Sequence, residues 1–180
     1  MSIGNCVRNL FITAFTACSA GLFAQDAGTV KEVKIGDQVW MAENVNVNIP
    51  NSFAYKSDPV NVKLYGRLYT WDAAQKACPK GWHLPTDVEW TQLTTFLGCL
   101  SLAASKLKAN GASGFNALMA GLKNEKGEFD EKNTNAIFWS STPFQGNTAW
   151  AREIKSFSPL LIETSYDKNV AASCRCIKDK

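Results

Sequence analysis

At 180 residues the chain is long enough to bury the core of one domain of ordinary size. A hydrophobic fraction of 46% with 19% charged residues excludes a disordered polymer. A formal net charge of +3, scattered without any run of like charges, excludes nucleic acid as a partner.

The first element in chain order is a leader. Met1 to Asn9 is short, with Arg8 its only charged side chain, and Leu10 to Phe23 is apolar or small. Polarity returns at Gln25-Asp26, after Ala24. That order is the pattern of a secretory signal. It predicts a signal peptide over residues 1–24, cut after Ala24, and a single domain over 25–180. The apolar run is shorter than a membrane span needs, so the mature form has no transmembrane segment. One alternative is a buried core helix. Another is a lipoprotein signal cut before Cys18, at Phe15-Thr16-Ala17-Cys18, with phenylalanine where leucine is usual. It would leave the protein tethered by acyl chains. Loss of Arg8 leaves 18 basic and 16 acidic residues, a net charge of +2. The expected location is secreted, periplasmic or on the outer cell surface.

Lys31 to Met41 holds two β-prone runs around Gly36-Asp37, which predicts a two-residue hairpin with glycine first in the turn. Asn44 to Asp58 is rich in Asn, Ser and Pro and reads as an irregular loop. Asp72 to Ala77 reads as a short helix. Cys78 to Trp90 is dense in residues that fix backbone: two prolines, a glycine, two tryptophans and a cysteine. Within it, Thr86-Asp87-Val88-Glu89 fits a capping box. The spacing of Trp90, Leu93 and Leu97 predicts a helix over Asp87 to Leu97, stopped by Gly98. Leu102 to Ala109 is a second helical segment, ended by Asn110-Gly111. Strands are predicted over Ala136 to Thr142, Ala149 to Ile154, Leu160 to Ser165 and Val170 to Ile177. Two main helices followed by strands give α+β, with a twisted, mostly antiparallel sheet.

Beyond the leader, which holds Cys6 and Cys18, four cysteines remain: Cys78, Cys99, Cys174 and Cys176. An even number in an exported chain reads as two disulfides, and four cysteines allow three pairings. If Cys174 and Cys176 lie on one strand they face the same side and cannot easily bridge each other.

Five segments, in order, carry a family resemblance. They are Val33 to Asn44 (VKIGDQVWMAEN), Tyr65 to Trp71 (YGRLYTW), Cys78 to Trp90, Phe138 to Thr142 (FWSST) and Arg175-Cys176. Together they resemble the Fibrobacter succinogenes major paralogous domain, a family of bacterial exported proteins of unassigned activity. The resemblance implies a C-type-lectin-like fold, stapled by disulfides and more distantly related to formylglycine-generating oxidases. It also implies a Cys78–Cys176 bridge, leaving Cys99 to pair with Cys174.

Candidate chemistry is sparse. His83 is the one histidine, which excludes sites needing two; between Trp82 and Leu84 in a rigid bend it reads as structural. Cys174-Arg175-Cys176 has a spacing that soft metals accept, but disulfides are the expected fate of its thiols. Glu125, Glu128, Asp130 and Glu131 lack the spacing of a calcium loop and read as a solvated segment. Ser140-Ser141-Thr142 lacks a nucleophile turn and reads as strand-end hydrogen bonding. Trp40, Trp71, Trp82, Trp139 and Trp150 are read mostly as core, with room for one exposed stacking platform. No catalytic residue, cofactor or metal site is recognisable. We therefore expect an exported, non-catalytic binding or structural module whose ligand is a glycan or another surface protein. Its polar loops, Asn44 to Asp58 and Lys123 to Asn135, are the expected binding edges. The alternative is a copper-dependent, oxidase-like enzyme using Cys174 and Cys176.

Overall fold

A computed structural model describes residues 30–180 of the protein. The leader, its cut after Ala24, Cys6 and the anchoring alternative at Cys18 lie outside the described residues. Among the described residues no helix is long and apolar enough to cross a membrane.

The chain opens with the predicted hairpin, β1 (Glu32–Ile35) and β2 (Gln38–Met41), paired antiparallel. Gly36 takes φ +62° at the first turn position, where a two-residue hairpin wants glycine. Short elements follow: β3 (Ser52–Phe53), a 3-10 turn at Tyr55–Ser57, α1 (Pro59–Tyr65), β4 (Leu68–Tyr69), α2 (Trp71–Ala74) and β5 (Trp82–His83). Next come α3 (Asp87–Phe96) and α4 (Leu100–Leu107). The rest is β: β6 (Leu122–Lys123), β7 (Phe129–Asp130), β8 (Asn135–Pro143), β9 (Thr148–Lys155), β10 (Leu161–Asp167), β11 (Ala172–Ser173) and β12 (Ile177–Lys178). The architecture is α+β.

The strands form a six-stranded sheet ordered β10-β9-β8-β11-β4-β3, a four-stranded sheet ordered β1-β2-β12-β5, and the small β6–β7 pair. Pairing is antiparallel except where β11 meets β8 at Ser173 and Phe138. The six-stranded sheet carries a core on each face. Strand β8 shows how: Ala136 and Phe138 enter one core, Ile137 and Trp139 the other. A strand covered on both sides must be apolar along its length. On one face α3 and α4 bring Trp90, Leu93, Leu97, Ala103, Ala104 and Leu107. Each large buried side chain stabilises by about 1.5–3 kcal/mol. On the other face lie Tyr69, Ala73, Ala74, Ala149 and Ala151, together with Cys174 and Cys176.

Helix α3 begins as its capping box predicts. The Glu89 amide donates to Thr86 Oγ1 at 3.2 Å, and the Thr86 amide to Glu89 Oε2 at 2.8 Å. Helix α4 starts at Leu100 rather than Leu102, because the chain turns sharply at Gly98 and Cys99, both at positive φ. Helix α1 was not foreseen. Its signal was Asp58-Pro59: Asp58 caps the Val60 amide and proline occupies the first turn. The run Val170 to Ile177, read as one strand, is two. Strand β11 belongs to the six-stranded sheet and β12 to the four-stranded one, so Cys174-Arg175-Cys176 crosses from sheet to sheet.

Candidate functional site

The crossing segment is fixed by its backbone. The Val45 amide donates to the Cys174 carbonyl and the Met41 amide to that of Cys176, both at 3.0 Å. Cys176 is bonded to Cys78, as the resemblance implied, with Cα atoms 5.9 Å apart. The pairing of Cys99 with Cys174 does not occur: both are free thiols. Cys99 is exposed at the head of α4, which packs on one face of the six-stranded sheet, while Cys174 is buried in the core on the other. Cys174 instead lies with its sulfur 4.0 Å from Cys78 Sγ. Burial pushes its thiol up to about 12.

Arg175 sits between these cysteines and is fully buried. Its Nε and Nη2 donate to Asn44 Oδ1, and Nη1 donates to the carbonyls of Met41 and Phe115. The guanidinium also stacks 4.3 Å from the centre of the Phe115 ring. Burial pushes its pKa down to about 9, so it stays charged at neutral pH, with neutral acceptors rather than a carboxylate around it. A second buried arginine, Arg152 on β9, lies 2.7 Å from Asp87 and 3.1 Å from Glu163. The Asp87 contact is close but poorly aligned for a hydrogen bond, and Arg152 Nε has no partner. Arg175 stands out in the sequence only within a family segment and Arg152 not at all, because nothing local marks a buried charge.

His83 is hydrogen-bonded, as read. Its Nδ1 lies 2.7 Å from Asp179 Oδ1 and its Nε2 2.9 Å from Glu89 Oε1, tying the end of the chain to the head of α3. Burial pulls its pKa down, but the hydrogen bonds to Asp179 and Glu89 outweigh that and hold it above the ordinary 6.5. Glu89 is likewise pushed up by burial, yet its bonds to Thr86 and His83 bring it below its ordinary 4.5. The His83 contribution is therefore complete below pH 6.5 and lost as pH rises through the raised folded value. The Glu89 contribution is present above pH 4.5 and lost as pH falls through the lowered one. The melting-temperature gap between wild type and His83→Gln should thus be widest between these values and shrink towards pH 9. Half-exposed side chains limit it to about 1 kcal/mol, roughly 2–4 °C. A gap that grows with pH would contradict the clamp.

Ser140 is buried and its hydroxyl accepts from the Thr142 amide; Thr142 Oγ1 accepts from the Asp87 amide. Both hydroxyls thus serve the strand end. Trp40, Trp90 and Trp139 are fully buried. Three tryptophans are partly open, and each has a covered ring. Trp71 has Lys168 Nζ 4.4 Å over it and donates to the Ser140 carbonyl. Trp82 has Lys178 Nζ 5.7 Å away, and Trp150 packs on Phe144 at 4.4 Å.

The two predicted binding edges prove to be neighbours. Within the first, Phe53 and Tyr55 lie on β3 and the 3-10 turn; within the second, Lys123 and Phe129 lie on the β6–β7 pair. Lys123 Nζ sits 4.3 Å over the Phe53 ring, and Tyr55 packs on Phe129 at 5.1 Å. Lys132 Nζ lies 5.3 Å from the Tyr55 ring and 5.7 Å from that of Tyr65, whose hydroxyl donates to Asn133 Oδ1 at 3.1 Å. Arg67 stiffens the first edge by donating to Ser52 Oγ and to the Ser52 carbonyl, both at 3.0 Å. Asn51, Lys56, Ser57, Glu131 and Asn133, all in these two segments, have positive φ. Such non-glycine conformations each cost on the order of 1–3 kcal/mol and persist only where the surroundings impose them. The acidic side chains Glu128 and Asp130 are engaged locally, with Asn124 and the Glu131 amide.

The model of the Fibrobacter succinogenes major domain matches residues 33–178. The chain belongs to that family. No curated protein and no solved structure matches it. In this Fibrobacter succinogenes major domain the five resembling segments touch one another. Asn44 accepts from Arg175, and Cys78 is bonded to Cys176. Trp139 Nε1 donates to the Tyr69 carbonyl, and Trp90 Nε1 donates to that of Trp139. Even the glycine of Tyr65-Gly66-Arg67 is needed there: at φ +77°, a Cβ would come within 2.7 Å of the Val45 carbonyl oxygen. The segments that mark the family build the scaffold.

Proposed function

We propose that this protein is an exported, non-catalytic recognition module with a C-type-lectin-like fold, and that it binds glycans where residues 44–58 and 123–135 meet. The observation that supports this is the convergence of two polar segments whose backbone is held in costly conformations. That is the arrangement expected of a rigid recognition surface. Aromatic edges at Phe53 and Tyr65, flanked by Asn133, Lys123 and Lys132, suit a hydroxyl-rich ligand. A protein partner is the second reading, favoured by Val60 and Leu64, which are exposed on the adjoining α1. The oxidase-like alternative is weakened because Cys176 is already bonded to Cys78 and the Cys174 thiol is buried.

The oxidised protein, isolated from its native source, should begin at Gln25 by intact mass; retained Met1 would remove the export half of the proposal. On a glycan array it should select one glycan class. Lys132→Ala should weaken that binding about tenfold, while Phe144→Ala, outside the surface, should not. An array without hits, alongside reproducible capture of one protein, sinks the glycan reading.

A further inference from the structure

Among the described residues, one group of three metal-ligating side chains lies close enough to share an ion: Cys78, Cys174 and Cys176, with sulfurs all within 4.8 Å of one another. We propose that these sulfurs form a redox-gated site for a single soft, thiophilic cation. The site forms when the Cys78–Cys176 bond is reduced. This inference stands apart from the recognition surface and does not rest on it.

Distance is the first argument. Metal–sulfur bonds of about 2.3 Å place the sulfurs of a three-coordinate site roughly 4 Å apart. Cys174 Sγ already stands 4.0 Å from Cys78 Sγ. Once the bond is cleaved, side-chain rotation has only to bring Cys176 to a similar separation. The backbone around these sulfurs is held by hydrogen bonds that do not involve the sulfurs themselves. The Cys174 and Cys176 carbonyls accept from Val45 and Met41, and Cys78 follows the turns that end α2.

Chemistry is the second. The group has three sulfurs and no carboxylate or imidazole, which selects soft cations over magnesium or calcium. Tyr69, Trp139, Ala74 and Ala172 line the same core and keep water from competing. Three thiolates carry excess negative charge, and the buried Arg175 guanidinium, packed on Phe115 in the neighbouring core, offsets part of it through space. Three ligands without a fourth suit copper(I) better than zinc, whose structural sites are four-coordinate. Cys78 is partly exposed, which gives a reductant a route in.

The steps balance. A dithiol delivers two electrons and two protons to the Cys78–Cys176 bond, yielding two thiols, and leaves as a disulfide. Cation uptake then releases the thiol protons to water, since the thiolate is the ligand. With the bond intact a single thiol, Cys174, remains and cannot hold the ion alone.

The test uses the full chain carrying Cys99→Ser, which removes the exposed thiol. The protein is reduced with a dithiol and titrated anaerobically with copper(I) against a chromophoric chelator. One equivalent should bind to the reduced protein and none to the oxidised protein. Cys174→Ala, which breaks no disulfide, should weaken binding at least about 100-fold with the near-ultraviolet circular dichroism unchanged. Equal binding by Cys174→Ala, equal binding by the oxidised form, or loss of that dichroism on reduction would each overturn the proposal.

Discussion

Arg175→Ala should cost the fold about 3–5 kcal/mol, a large share of the stability of an ordinary domain. Two losses add. Removing the guanidinium leaves Asn44 Oδ1 and the carbonyls of Met41 and Phe115 without their donor, and unpaired buried acceptors cost about 1–3 kcal/mol each. It also leaves a void against the Phe115 and Phe138 rings, over which the guanidinium now lies. Arg175→Lys should recover little. An ammonium can reach one or two of these acceptors but cannot fork to Asn44 while also bonding two carbonyls. Urea denaturation of the three proteins tests this; an alanine variant within 1 kcal/mol of wild type would show that the network is dispensable.

The cysteines should separate sharply in the same measurement. Cys78–Cys176 spans 98 residues, and in the loop-entropy model a bridge of that length stabilises by about 4–5 kcal/mol. Cys78→Ser should therefore lose several kcal/mol. Cys99→Ser should stay within about 0.5 kcal/mol of wild type, because its side chain is exposed and unbonded. Cys99→Gly should gain about 1 kcal/mol or more. At φ 65° and ψ 179° that position lies in backbone space that is essentially glycine's alone. Equal losses from Cys78→Ser and Cys99→Ser would contradict this assignment.

What could be read from the residues was what short-range physics decides. The β1–β2 hairpin follows from Gly36 in its turn. Helix α3 follows from the Thr86–Glu89 box and the Trp90, Leu93, Leu97 stripe. Strands β8 to β10 follow from long β-prone runs. Helix α1 escaped because Val60 and Leu64 point to solvent, so the segment lacks an amphipathic period; the Asp58-Pro59 cap alone marked it. The break between β11 and β12 escaped because eight β-prone residues read as one strand, and only tertiary pairing shows that they serve two sheets. The burial of Arg175 left no trace in the sequence either, since its acceptors at Asn44, Met41 and Phe115 are all distant along the chain. The fates of Cys99 and Cys174 depended on which face of the six-stranded sheet each core occupies, which no local pattern encodes. The meeting of the two edges was equally hidden: each reads as polar, and the aromatic and lysine contacts that join them are long-range.

The pairing of Trp40 with Ile177 has a consequence for the order in which the molecule assembles. Loop-closure entropy must be met before so distant a contact returns anything, and folds built on such contacts form slowly. A chain delivered amino end first has nowhere to lodge Trp40, since Trp90, Phe115 and Ile177 arrive one after another. The β1–β2 hairpin must wait, undocked, until Ile177 appears. Pulse-labelled hydrogen exchange during refolding should then protect the Met41 amide, which donates to the Cys176 carbonyl across this pairing, only at the final step. Until that moment the inner face of the hairpin, with Trp40 on it, stays uncovered.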